Sequence, residues 1–383
     1  MNNEFHATLR SDNRRLNQWE KCYRAPAVVS SPLTIHLPTG TRCNLVCSFC
    51  TTRTGSDATP DYRDLSYTEF LRMVDRDDWK RLLQSASVIK LYGWGEPLFN
   101  PDYGKMVDFL RDRYPGLGIS LSTNGTLFSK KWAEKFIDAS SVNFSVNAAT
   151  RSTYKNVMGL DLFDRVIENI RAFTALLQDC QGDNRPLVSM SFVATLENIR
   201  ELPEFVSLAA DLGADCASVA DTMPLTPEIA RLSIVNDPSA MNAALTAALE
   251  ASRLRGIPLS LSVYNLGNLD SFSSASGAMY YRSQPPIKAR RSPLMLLDAR
   301  IPSPYAASTD CFEPWETMML SISGDVYPCC EMASGGYRVM GNVNDHSFMD
   351  VWNGDAYRSL RATVNSETPP DFCAKCPRKL AAS

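Results

Sequence analysis

A chain of 383 residues can hold one large domain and a smaller one, with a core that needs no covalent staples. Its 44% hydrophobic and 21% charged residues are ordinary for a globular protein, and a net charge of -3 gives no global reason to expect nucleic acid or an anionic membrane as partner. No apolar run reaches transmembrane length and the polar N-terminus lacks a signal-peptide pattern, so a cytoplasmic location is expected.

Residues 1–32 are polar and weakly patterned and read as a capping extension. Residues 33–37 form a first strand that feeds directly into a cysteine-bearing loop. Ser66 with Glu69 makes a capping box that opens a helix; Phe70, Met73 and Val74 share one face, and Trp79, Leu82 and Leu83 continue the apolar content. A second strand at 88–91 precedes a helix over 103–113. A third at 118–121 precedes one over 129–138. A fourth at 142–146 is followed by helical sequence through Ala175, a fifth at 187–193 by a helix over 202–212, and the sixth is 216–219. Six strand–helix units in series predict a parallel, curved sheet. Beyond it, a helix over 238–254 and a strand over 259–263 lead into a Ser/Gly-rich, then basic and Pro-rich loop, 271–293. Arg282, Lys288, Arg290 and Arg291 there read as a solvated basic loop rather than an anion site.

In a reducing compartment the eleven cysteines read as ligands or reactive thiols. Three lie in 43–50, and five follow residue 310: Cys311, Cys329, Cys330, Cys373 and Cys376. Cys22, Cys180 and Cys216 read as small core or surface residues. Cys43, Cys47 and Cys50 are spaced C-x3-C-x2-C, three thiolates from one short loop. Structural zinc needs four closed ligands, and four thiolates hold an ordinary [4Fe-4S] cluster. Three thiolates leave one iron with an open position. The nearest histidine, His36, sits in the strand-like stretch instead.

This motif resembles that of the radical S-adenosylmethionine (SAM) superfamily. The resemblance implies an α/β fold, a partial (β/α)6 TIM-like barrel, with the cluster loop at the C-terminal ends of its strands. It also implies a [4Fe-4S] cluster with three Cys ligands that reductively cleaves S-adenosylmethionine to a 5′-deoxyadenosyl radical. The stretch Gly93-Trp94-Gly95-Glu96-Pro97 resembles the family's G-G-E-P motif, which grips the methionine amino group; Trp94 stands where the first glycine would be. By the same resemblance Ser122 and Asn124 at the end of strand three, and Ser145 and Asn147 at the end of strand four, contact the cofactor. An ordinary turn remains the alternative for Asn124-Gly125, and Asn198 reads as a helix cap.

Cys311-x12-Gly324-x4-Cys329, with Gly341-Asn342-Val343, Asp350-Val351-Trp352-Asn353 and the pair Cys373 and Cys376, resembles a SPASM/twitch auxiliary-cluster domain. The further C-x2-C-x5-C-x3-C set of a full SPASM domain is missing. Cys311, Cys329, Cys373 and Cys376 remain, enough for one auxiliary [4Fe-4S] cluster; a zinc-ribbon-like site is the alternative. Cys330 is a surplus thiol: an alternative ligand, a core residue, or a catalytic hydrogen-atom donor. The expected organisation is an N-terminal extension over 1–32, a barrel core over 33–225, a bridging region over 226–310 and a cysteine-rich domain over 311–383.

The leading expectation is a radical SAM oxidoreductase of natural product biosynthesis, reduced by a flavodoxin- or ferredoxin-type protein, with the auxiliary cluster as electron acceptor. It would dehydrogenate or cross-link a small-molecule substrate such as a sugar, aminocyclitol or nucleoside. A peptide substrate is ranked second: the stretch before strand one is too short for the winged-helix element with which peptide-modifying relatives grip a leader. It is also too short for a cobalamin-binding domain. A redox-neutral epimerase, lyase or mutase and a zinc-stabilised, non-enzymatic binding module are the remaining alternatives.

Overall fold

The structure, a computed structural model, describes residues 3–50, 62–178, 185–222, 226–262, 310–329, 339–374 and 376. Cys180, Cys330 and the basic stretch with Arg282, Lys288, Arg290 and Arg291 lie outside them.

Helix α1 (Asn3–Cys22) precedes strand β1 (Thr34–His36). Then follow α2 (Tyr67–Val74), α3 (Asp77–Ser85), β2 (Val88–Lys90), α4 (Tyr103–Arg113), β3 (Gly118–Thr123) and α5 (Lys130–Lys135). Next come β4 (Ser141–Ser145), α6 (Arg151–Met158), α7 (Phe163–Gln178), β5 (Leu187–Ala194), α8 (Leu202–Asp211), β6 (Cys216–Asp221), α9 (Pro227–Leu232), α10 (Pro238–Arg255) and β7 (Leu259–Ser262). After residue 310 lie α11 (Glu313–Glu316), β8 (Thr317–Leu320), β9 (Asp325–Tyr327), β10 (Gly341–Asn342) and short helices at Phe348–Trp352, Asp355–Thr363 and Asp371–Ala374. The strand–helix alternation makes this an α/β protein with a mostly parallel sheet. No described helix is long and apolar enough to cross a membrane.

The described residues fall into two compact units. The first takes the chain through Arg42, the described part of 57–120 and that of 310–376. In it β1 lies between β2 and β8, parallel to both, and β2 pairs with β3. Strands β9 and β10 extend the β8 edge antiparallel. The N-terminal helix and the described residues after 310 thus belong to one body.

Within residues 1–32, read from sequence as a polar, weakly patterned capping extension, lies helix α1. Its buried positions are His6, Arg10, Asn13, Asn17, Glu20 and Lys21, recurring at steps of three and four residues. That is a helical period written in polar side chains. All but His6 reach a group that needs a partner. Arg10 donates to the Ala86 and Pro115 carbonyls (both 3.1 Å), and Asn13 exchanges bonds with Ser31 and donates to the Ser85 carbonyl (3.2 Å). The Glu20 carboxylate accepts from the Ser30 amide, and Lys21 pairs with Glu316. The helix expected to open at Ser66 is also two helices. The Ser66–Glu69 capping box is present, but Arg76 turns to extended backbone (φ -70°, ψ 149°), and its guanidinium bonds to Asp78 and the His346 carbonyl.

The second unit contains the cysteine loop, 43–50, and the described part of 121–262. Strands β4, β5, β6 and β7 are parallel neighbours in that order, with Asn143 in register with Ser189 and Ser145 with Ser191. One face is apolar and sealed: Val142, Phe144, Val188, Met190, Phe192, Ala217 and Val219 are at most 1% exposed, and α8 packs on β5 and β6. The other face alternates Asn143, Ser145, Ser189, Ser191, Cys216 and Ser218, all half-buried. A parallel sheet covered on both faces reads as continuous apolar runs. Here strict alternation marks one face for polar contents.

Candidate functional site

Three constellations hold the residues expected to carry chemistry. In the second unit the cysteine loop is pinned at several points. The Val46 and Ser48 amides donate to the carbonyls of Met158 (3.3 Å) and Val157 (2.9 Å), at the end of α6. Gly159, the C-cap of α6, has φ +80°, and a Cβ there would lie 2.2 Å from Val46 Cγ2 and 2.9 Å from its carbonyl oxygen. Only glycine combines that left-handed backbone with so close an approach. Cys47 Sγ lies 3.7 Å from Met158 Sδ, and the Ser48 hydroxyl donates to Glu197 (2.8 Å).

Cys43 is met by N–H donors. Its sulfur accepts from the Leu45 amide (3.4 Å) and Asn124 Nδ2 (3.8 Å). Asn124 Nδ2 also donates to Asn44 Oδ1 (2.9 Å), while Asn44 Nδ2 donates to the Thr126 hydroxyl (2.8 Å). Donors aimed at sulfur suit a thiolate ligand, so the residues present fit an iron–sulfur group. Among the described residues no three His, Cys, Asp or Glu side chains converge to hold a metal ion. A cubane cluster does not impose that condition, because each thiolate binds a separate iron.

Ser122 and Asn143 form a polar knot on the open face: Asn143 Nδ2 donates to Ser122 Oγ (2.9 Å) and Ser191 Oγ (3.0 Å), and Asn143 Oδ1 accepts from Ser189 Oγ (2.9 Å). Asn147 is fully buried with φ +63°; its Oδ1 accepts from the Val193 amide (2.7 Å), and its Nδ2 donates to Ser145 Oγ (3.0 Å) and Met158 Sδ (3.3 Å). Asn198, expected as a helix cap, makes no side-chain cap bond. It is buried, donating to the Asn147 and Val193 carbonyls (both 2.9 Å), and so locks the backbone that carries Asn147. Asn44, Thr126, Asn143, Met158 and Gly159 escape the sequence motifs. Only Asn143 leaves a signal, a polar residue in phase with Ser141 and Ser145 along β4.

In the first unit the loop after β2 presses on the chain that leads to Cys43. Gly95 has φ +78°, and a Cβ on it would sit 2.4 Å from the Arg42 carbonyl oxygen. The Glu96 amide donates to that oxygen (2.8 Å), and buried Glu96 accepts from the Leu98 amide (3.2 Å), capping the 3-10 turn Pro97–Phe99. Arg42 pairs with Asp64 (3.0 Å) and lies over the Phe99 ring (4.9 Å). Trp94 is half-buried. On β1, burial and then the nearby Lys90 charge push the His36 imidazole down to about 3, so it stays neutral.

The C-terminal cysteines also belong to the first unit. Asn365 clasps Cys311 from both sides, accepting from its amide (2.8 Å) and donating to its carbonyl (2.9 Å). Burial pushes the Cys311 thiol up to about 12, and Glu313, Cys373 and Cys376 add to it electrostatically. Cys373 and Cys376 thus act on Cys311 electrostatically, a repulsion between thiolates that bound iron would neutralise. Burial holds the Tyr357 phenol well above its ordinary range, and Cys329 is among the charges that raise it further. Arg361, 1% exposed, lies over the adjoining rings of Trp352 (4.4 Å) and Tyr357 (5.0 Å) and donates to the carbonyls of Pro314 (2.8 Å), Trp352 (2.8 Å) and Pro26 (3.3 Å).

Comparison with known proteins agrees with this chemistry. Residues 37–209 match the radical SAM superfamily, and residues 311–377 match SPASM, an iron–sulfur cluster-binding domain. The chain is a radical SAM superfamily enzyme with a SPASM domain; its cofactors are S-adenosylmethionine, a [4Fe-4S] cluster and auxiliary iron–sulfur.

Among curated relatives it is 29% identical over 198 residues to the tungsten-containing aldehyde ferredoxin oxidoreductase cofactor-modifying protein of Pyrococcus furiosus, a match over 51% of this chain and 52% of that protein. The chain thus spans about half the length of that relative. It is 22% identical to the PqqA peptide cyclase of Xanthomonas campestris pv. campestris, over 92% of this chain and 81% of the cyclase. Among solved structures, Streptococcus suis SuiB bound to precursor peptide SuiA superposes with a TM-score of 0.63 at 15% identity, covering 97% of this chain and 74% of SuiB. That likeness establishes the fold, a partial barrel carrying a C-terminal SPASM domain.

These relatives correct the expectation of a small-molecule substrate favoured over a peptide. The cyclase that matches through both domains is a peptide cyclase, and the SuiB structure holds a precursor peptide. The expectation rested on the short stretch before β1, and the room available there does not determine which molecule the open face of the sheet accepts.

Proposed function

We propose that this enzyme modifies a peptide: it removes a hydrogen atom from one residue of a peptide substrate and leaves that residue oxidised or cross-linked. A [4Fe-4S] cluster with S-adenosylmethionine, when bound, supplies radical hydrogen-atom abstraction. Cys43, Cys47 and Cys50 would hold that cluster. Ser122 and Ser145, the latter held by Asn147, would orient the cofactor, and Cys311, Cys329, Cys373 and Cys376 would hold the auxiliary cluster. The neutral amide and hydroxyl groups around Asn143 suit the equally neutral, hydrogen-bonding backbone of a peptide.

The observation that carries the reading is the match to PqqA peptide cyclase, which runs through both domains over 92% of this chain. The test is anaerobic incubation with S-adenosylmethionine, dithionite and synthetic peptides encoded by short reading frames flanking the protein's own gene. The expected result is 5′-deoxyadenosine formation stimulated by one peptide, with that peptide losing hydrogen by mass spectrometry. Turnover stimulated by none of the peptides but by an extract of small metabolites would overturn the proposal.

A further inference from the structure

The hydrogen bonds around Asn124 point away from cofactor contact and towards the cluster loop. Its Oδ1 accepts from the Thr126 amide (3.0 Å) and the Thr126 hydroxyl (2.7 Å). A backbone amide can only donate, so this contact fixes which end of the Asn124 amide is oxygen. Nδ2 must then face the cysteine loop. An amide nitrogen has two hydrogens, and it donates to Asn44 Oδ1 (2.9 Å) and Cys43 Sγ (3.8 Å). Asn44 in turn donates to the Thr126 hydroxyl (2.8 Å), closing a ring of three side chains around the first cysteine. Asn124 is only 7% exposed, so little solvent competes for those bonds.

We infer that Asn124 is a positioning residue for Cys43: it presents the Cys43 thiolate to the cluster and raises the cluster's reduction potential through an N–H···S bond. The inference rests on Cys43 as a ligand. A donor aimed at a ligating sulfur stabilises the more negative, reduced cluster over the oxidised one. Cys47 Sγ, for its part, meets the Met158 thioether (3.7 Å). With both hydrogens committed, Asn124 has none to offer S-adenosylmethionine.

Asn124→Asp keeps the acceptor for Thr126 and removes the donor, and Asn124→Ala removes both. Each full-length variant is reconstituted anaerobically, and the signal that changes when S-adenosylmethionine is added is followed by electron paramagnetic resonance during a redox titration. S-adenosylmethionine affinity is measured in parallel by isothermal titration. The expected result is a more negative midpoint potential in both variants, with affinity within a factor of about three of the parent, under 1 kcal/mol. Loss of the responsive cluster with the remaining iron retained would equally support the inference, because Cys43 would then need its clasp to bind iron. An unchanged midpoint with weakened S-adenosylmethionine binding would overturn it in favour of direct cofactor contact. An unchanged midpoint with unchanged affinity, or loss of all iron, would overturn it as well. Cys43→Ala keeps the two ideas separable: retention of the responsive cluster there removes the ligand assignment itself.

Discussion

Single residues set the geometry of the cysteine loop, and the sharpest case is Gly159. A left-handed backbone costs an alanine about 1–2 kcal/mol, and its methyl group would also strike Val46, whose amide is bonded to the turn beside it. Gly159→Ala should therefore displace the loop and lower the iron bound after reconstitution. Gly256→Ala is the control, with a similar φ of +66° and nothing within 4 Å of its new methyl. If both variants keep full iron, Gly159 has no role in presenting the cysteines. Asp221, at the end of β6, makes a different residue-scale case. Burial raises its carboxyl from 3.8 to about 6, although the Thr222 amide and the Ser233 hydroxyl oppose the shift. The folded chain then holds that proton more tightly than the unfolded chain. The resulting stabilisation is complete below the unfolded value and is lost as pH rises through about 6. By pH 8 the loss amounts to at most about 3 kcal/mol. Asp221→Asn cannot ionise, so its urea midpoint should overtake that of the parent between pH 4 and 8; parallel profiles would refute the assignment.

At the scale of elements, legibility followed the apolar pattern. Helix α4 is found where the sequence puts it, and β4, β5 and β6 fall within a few residues of their expected bounds, because alternating or helical apolar residues announce them. Helix α1 hides because His6, Arg10, Asn13, Asn17, Glu20 and Lys21 carry its period, a stripe that a hydrophobicity pattern reads as surface. The cysteine motif was legible because bound iron requires those residue types. The ring of Asn44, Asn124 and Thr126 was not, since long-range hydrogen bonds leave no spacing rule in sequence. The polar stripe makes α1 intolerant of what would improve an ordinary amphipathic helix. Asn13→Leu raises helix propensity and apolarity, yet strands the Ser31 amide and carbonyl and the Ser85 carbonyl, each costing about 1–3 kcal/mol if left without a partner. The expected outcome is net destabilisation of about 2 kcal/mol or more in urea unfolding, whereas a gain in stability would show that water or rearrangement satisfies those groups.

For the whole molecule, the domains of the sequence and the bodies of the fold are cut differently. The SPASM match covers 311–377, yet β8 from that segment pairs with β1, Trp352 Nε1 donates to the Ser30 carbonyl (3.0 Å) and Arg361 reaches Pro26. The cysteine-rich segment is therefore part of the same body as the N-terminal helix, while the 43–50 loop belongs to the other unit. Loss of iron at one cysteine set should accordingly leave the other set folded. That makes metal removal at the first set informative. With four irons to a cluster, the parent should carry about eight irons per chain after anaerobic reconstitution, and the Cys43/Cys47/Cys50→Ala triple variant about four. The remainder should be unresponsive to S-adenosylmethionine by electron paramagnetic resonance. About four irons falling to none would mean that Cys311, Cys329, Cys373 and Cys376 hold no cluster. The oxidative part of the proposed peptide chemistry would then lack its electron acceptor, and a redox-neutral outcome at the peptide would become the better account.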